Sequence, residues 1–149
     1  MDRRQRAVQC YRSEFNCAQS VLSVFADDFG LDPETALRMA CGLGAGMGRM
    51  AETCGAVTAA FMVLGLKFGM TDPERQEDKE KTYELVRRFC DRFRERNPSL
   101  LCRDLLGCDI STPAGFEEAK EANLMEKVCE RVVGDAVEII EEMIQDPGP

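Results

Sequence analysis

Apolar positions near the end of the chain recur at steps of three and four residues: Met125, Val128, Cys129, Val132, Val133, Ala136, Val137, Ile140, Met143 and Ile144. That spacing lays one wide apolar face along an amphipathic helix, which Pro147 and Gly148 end. The stretch Pro73–Arg96 repeats the pattern, with Tyr83, Val86, Phe89, Cys90 and Phe93 as its buried stripe. Thr71-Asp72-Pro73 supplies its start, because Pro suits a first turn, and Asn97-Pro98 its stop. Ala7, Val8 and Tyr11 predict a short first helix, and Val21, Leu22, Val24, Phe25 and Phe29 a second that ends at Gly30. Asp32-Pro33-Glu34 opens a third through Met39. An apolar helix follows from Cys54 to about Phe68, then a turn at Arg103–Leu106 closed by Gly107, then a short helix over Pro113–Asn123. Strand signals are weak, and no repeat or low-complexity linker interrupts the pattern. The prediction is all-α: one domain over residues 1–149, a bundle of five to seven helices.

Composition narrows the function. The 149 residues suffice for a real core. Lys plus Arg number 19 and Asp plus Glu 27, a net charge of −8, which argues against nucleic acid as a partner. The one basic cluster, Arg3, Arg4 and Arg6, reads as a frayed, solvated end. Acidic pairs such as Glu117-Glu118 and Glu141-Glu142 read as solvated helix faces, and no general acid/base pair stands out. No export signal is visible. The most apolar run, Ala56–Phe68, is too short for a membrane span of about 20 residues, so no membrane insertion is expected and the cytoplasm is the default location.

Against that background, eight cysteines stand out. A reducing compartment does not favour structural disulfides, which leaves inert core thiols, metal ligands and redox-active thiols. The chain contains no His, which removes Ser-His-Asp and Cys-His catalysis, His-ligated zinc, and covalent haem attachment through C-x-x-C-H. There is no C-x-x-C pair, so any site is assembled by folding, one ligand per helix. Cys17 follows Asn16 in a capping-box pattern with Gln19, Cys54 follows Thr53, and Cys102 lies three residues after Ser99. Each is placed in the first turn of a helix, where backbone N–H groups favour thiolate. Cys90 and Cys129 lie on apolar helical faces and by periodicity alone read as core. Cys10 reads as packing, while Cys41 and Cys108 stay undecided.

Gly42-Leu43-Gly44-Ala45-Gly46-Met47-Gly48-Arg49 fits neither a dinucleotide fingerprint nor a Walker loop, so no nucleotide is expected. Its N–H groups could wrap a cluster or an anion; equally, the segment reads as a flexible turn between helices. Gly55 and Ala56, with Ala59 and Ala60 one turn on, let a helix or an inorganic group approach closely.

Phe15-Asn16-Cys17-Ala18-Gln19, Gly44-Ala45-Gly46-Met47-Gly48-Arg49, Thr53-Cys54-Gly55-Ala56-Val57-Thr58, Cys102-Arg103-Asp104-Leu105-Leu106-Gly107 and Cys129 together resemble the C-GCAxxG-C-C family of redox-active proteins. The resemblance covers nearly the whole chain, and departs from the pattern at Ala59, where the family's element ends in Gly. It implies a redox role, with related domains associated with iron–sulfur binding, and it reverses the packing reading of Cys129. The leading expectation is electron transfer through an iron–sulfur cluster on Cys17, Cys54, Cys102 and Cys129, with Gly44, Gly46, Gly48, Arg49 and Gly55 lining the cofactor. The alternatives are a thiol–disulfide oxidoreductase with Cys54 as the attacking thiolate, and a structural zinc module. A redox partner is implied but unidentified. A homo-oligomer is conceivable from the apolar helix beginning at Cys54.

Overall fold

Helix starts follow local chemistry closely. The computed structural model describes all of residues 1–149. Asp2 and Gln5 form a reciprocal capping box on α1 (Arg3–Arg12), and Asn16 and Gln19 form the expected one on α2 (Cys17–Ser23). Asp32 caps α3 (Pro33–Cys41) with Pro33 in its first turn, and Thr112 caps α7 (Pro113–Glu121). Between them lie α4 (Gly55–Phe68), α5 (Gln76–Arg96) and the single turn α6 (Cys102–Leu106); α8 (Leu124–Gln145) closes the chain. The all-α, single-domain class is thus observed, with eight α-helices once α6 is counted.

Three local expectations change. The second predicted segment divides into α2 and a 3₁₀ turn, Ala26–Phe29, which Gly30 ends in the left-handed region (φ 67°). The turn at Asp72-Pro73 precedes α5 rather than forming its first turn, with Asp72 accepting from the Glu74 and Arg75 N–H groups. The buried stripe of α5 is Leu85, Phe89 and Phe93, a strict four-residue step; Tyr83 is 51 % exposed and Cys90 only half-buried.

Nor is the basic N-terminus frayed. Arg3 pairs with Asp28 at 2.7 Å, and Arg4 reaches Glu138 on α8 at 2.8 Å. Arg4 lies directly over Gly134, where a Cβ would sit 2.7 Å from the guanidinium carbon. These ion pairs fasten α1 to the 3₁₀ turn and to α8. Asp135, the one buried acid, is answered from three sides by Arg4, Arg96 and the Asn97 amide.

α4 carries Ala56, Val57, Ala59, Ala60, Val63 and Leu64 into the interior and touches α2, α5 and α8, so it is the central helix. No helix is long and apolar enough to cross a membrane. The apolar interior has two parts. The larger, of 27 buried residues, gathers α1–α5 and α8, with Leu105 reaching in from α6. The smaller consists of Ala51, Cys102, Leu106, Ile110 and Ala119. Val128 and Cys129 pack against both, so α8 forms the seam between them.

Candidate functional site: a four-cysteine cleft

Along that seam opens a cleft of about 530 Å³. Cys17, Cys54, Cys102 and Cys129 all line it; Cys10, Cys41, Cys90 and Cys108 do not. Leu105, Leu106, Ile110, Met125, Val128 and Val132 supply most of the apolar wall, and Arg12, Glu14, Glu126 and Glu130 the charged groups.

Each cysteine arrives on a different element. Cys17 is the first residue of α2 and Cys102 the first of α6, while Cys54 is itself the N-cap of α4, with no side chain capping that end. Cys129 sits one turn inside α8. The starts of α4 and α6 are held side by side by a contact the sequence reading did not anticipate. Thr53 and Leu101 form an antiparallel bridge, flanked by Cys54 N–H donating to Leu100 C=O (2.8 Å) and Cys102 N–H donating to Glu52 C=O (2.7 Å). Arg103 reinforces it by donating to the Ala51 carbonyl and pairing with Glu52. A two-residue pairing is too short for any alternating pattern, so no sequence signal announces it.

The glycine segment is neither open nor loose. Ala45, Gly46, Met47, Gly48 and Arg49 all have positive φ between 55° and 70°, and Ala51 joins them at 59°. Each non-glycine residue in this region costs roughly 1–2 kcal/mol, a cost met by hydrogen bonds such as Gly48 N–H to Gly42 C=O and Glu52 N–H to Gly46 C=O. Of the five residues expected to line a cofactor, Gly46 and Gly55 do line the cleft, as does Ala45. Gly44, Gly48 and Arg49 lie off it: Gly44 packs beneath Asn16, and Arg49 stacks on the Phe116 ring.

Gly55 is where α4 comes closest to the Cys17 sulfur. A Cβ there would stand 2.6 Å from Cys17 Sγ and 2.8 Å from the Leu43 carbonyl oxygen. Its absence lets the backbone of α4 meet the Cys17 sulfur. The Cys54 thiol and the N–H groups of Ala45, Ala18 and Gly55 hydrogen-bond to that sulfur, and together they pull the Cys17 thiol down to about 6 despite its burial. Cys54, hydrogen-bonded to Cys17 and buried, is pushed well up. Cys102 and Cys129 are pushed up to about 12, chiefly by burial and then by Cys17. Within this pair Cys17 is the thiol drawn down and Cys54 the one pushed up. No disulfide is present among the eight cysteines. No three Cys, Asp or Glu side chains stand close enough together to ligate one ion.

A family model for the C-GCAxxG-C-C proteins, described as putative redox-active proteins, matches residues 15–143. The chain belongs to the C-GCAxxG-C-C family. Searches of curated proteins and of solved structures each returned no match. The family match begins after α1, so Tyr11 and Arg12, which both line the cleft, lie outside the matched residues. Ala59, the departure from the family element, is fully buried within α4.

Proposed function

We propose that this member of the C-GCAxxG-C-C family is an electron carrier in which Cys17, Cys54, Cys102 and Cys129 hold an iron–sulfur cluster. The observation that carries this reading is the selection among cysteines. Eight are scattered over the chain, and the four in the family pattern are the four that line one cleft. The donor set is all sulfur, as cluster ligation without His requires.

Such a cluster supplies reversible one-electron chemistry. The chain's own part is to supply four thiolates, to direct the Ala45 and Gly55 N–H groups toward the Cys17 sulfur, and to keep water back with the Leu105, Ile110 and Val128 wall. Gly46 and Gly55 admit the group closely, while Gly44, Gly48 and Arg49 hold the loop in shape.

The test is anaerobic purification, visible absorption, and assay of iron and acid-labile sulfide. Bands that bleach with dithionite, with stoichiometric iron and sulfide, are expected. They should be lost on Cys→Ser change at Cys17, Cys54, Cys102 or Cys129 and kept on change at Cys10, Cys41, Cys90 or Cys108. A protein still colourless after incubation with iron and sulfide would overturn the reading.

A second reading rests on the hydrogen-bonded Cys17–Cys54 pair. Here the Cys17 thiolate attacks a substrate disulfide and releases one substrate thiolate. Cys54, losing its proton, then displaces the second, so that the substrate is reduced to a dithiol and Cys17–Cys54 becomes a disulfide. A metal-free protein with that disulfide in non-reducing peptide mapping would favour this reading. Stoichiometric zinc would instead favour the structural module.

A further inference from the structure

Tyr11 enters the site from α1, outside the residues matched by the family model. Its hydroxyl donates to the main-chain carbonyl of Met125 at 2.9 Å. That carbonyl lies one helical turn before Cys129 on α8. Burial chiefly, and after it the nearby Cys129 thiol, hold the Tyr11 proton in place. The ring lines the cleft beside all four cysteines. A phenol has a single proton to give. In this structure that proton lies on the Met125 carbonyl. Once Cys129 bears no hydrogen, the same proton can turn by rotation about the C–O bond to face the sulfur. No other side-chain hydroxyl lines the cleft.

We propose that Tyr11 is the positioning residue for Cys129: it anchors the turn of α8 that carries this cysteine, and it is the hydrogen-bond donor to the Cys129 sulfur when that sulfur is ligated. The inference rests on the four-cysteine reading of the cleft. It adds a polar contact to a ligand that otherwise lies on an apolar helix face. A donor to a ligand sulfur stabilises the more negative, reduced state of the site and so raises its potential.

The test uses the full chain labelled with ¹³Cζ-tyrosine. Only two tyrosines are present, so Tyr83→Phe assigns the two resonances. In the reduced, metal-free protein the Tyr11 resonance is expected to shift on Cys129→Ala and to hold its place on Cys90→Ala. After anaerobic loading with iron and sulfide, Tyr11→Phe is expected to lower the midpoint potential, and Tyr83→Phe to leave it unchanged. A Tyr11 resonance indifferent to Cys129→Ala, or an unaltered potential in Tyr11→Phe, would overturn the proposal. Failure of the protein to take up iron and sulfide would sink the cluster reading alone. The resonance measurement, which needs no Tyr11 variant and no metal, would still decide whether Tyr11 attends Cys129.

Discussion

Cys17 owes its acidity to its neighbours more than to its own helix. The donors at its sulfur include the Cys54 thiol, Ala45 in the glycine segment and Gly55 on α4. At pH 7 in the reduced, metal-free protein, iodoacetamide should therefore label Cys17 at least about tenfold faster than Cys102 or Cys129, as read by peptide mass spectrometry. The same shifts fix a pH dependence. Between about 6 and the ordinary thiol value of 9.0, the unfolded chain binds the Cys17 proton more tightly than the folded one. The Cys17 contribution to stability thus grows with pH across that window and is lost as pH falls through 6. Cys102 and Cys129 act in the opposite sense: their contribution is whole below 9.0 and is lost as pH rises toward 12. Thermal melts should show a rise from pH 6 to 9 that Cys17→Ser abolishes, and a fall above it. The four cysteines were legible in the sequence because their motifs are. Which of them is acidic was not, because that depends on Gly55 and Ala45 meeting Cys17 across the fold.

At the scale of elements, caps were the readable signals. Asn16, Asp32 and Thr112 act locally, and their helices begin where the sequence places them. The face of α5 keeps the expected Phe89 and Phe93 but turns from Tyr83 to Leu85, because its exact centre is settled by packing on α4 and α8, not by periodicity. Two glycines of α4 separate local cost from tertiary need. Gly65→Ala adds a methyl into open space and should stabilise by about 0.5–1 kcal/mol through helix propensity. Gly55→Ala drives a methyl onto Cys17 Sγ and the Leu43 carbonyl, and should destabilise by about 1–3 kcal/mol. Urea denaturation of the two variants measures both. The sequence reading flagged Gly55 as a place of close approach; only the fold identifies the sulfur that approaches.

Taken whole, the molecule has enough apolar interior to fold without help from its site. The larger core alone includes Phe25, Phe89, Phe93, Leu22, Leu64 and Ile140 fully buried, each worth roughly 1.5–3 kcal/mol against exposure. Reduced protein stripped with a chelator should keep its far-ultraviolet helical spectrum and a cooperative melt, unlike small domains that unfold when metal leaves. The all-α class was visible from periodicity alone. The division of the interior into two parts meeting at Val128 and Cys129 was not. It depends on the bridge between Thr53 and Leu101, residues 48 positions apart that no local pattern connects.

The segment from Ala45 to Ala51 also has a chirality of its own. Most of its residues occupy a backbone basin that is the mirror image of the one natural amino acids prefer. For a D-amino acid that basin is the comfortable one, so D-alanine at position 45 or 51 would fit more easily than the L-alanine now there. By the same token, a β-branched L-residue at 45, 47, 49 or 51 would be the hardest to place. The segment that brings Ala45 and Gly46 to the cleft is therefore restricted in which residues it accepts by handedness as well as by size.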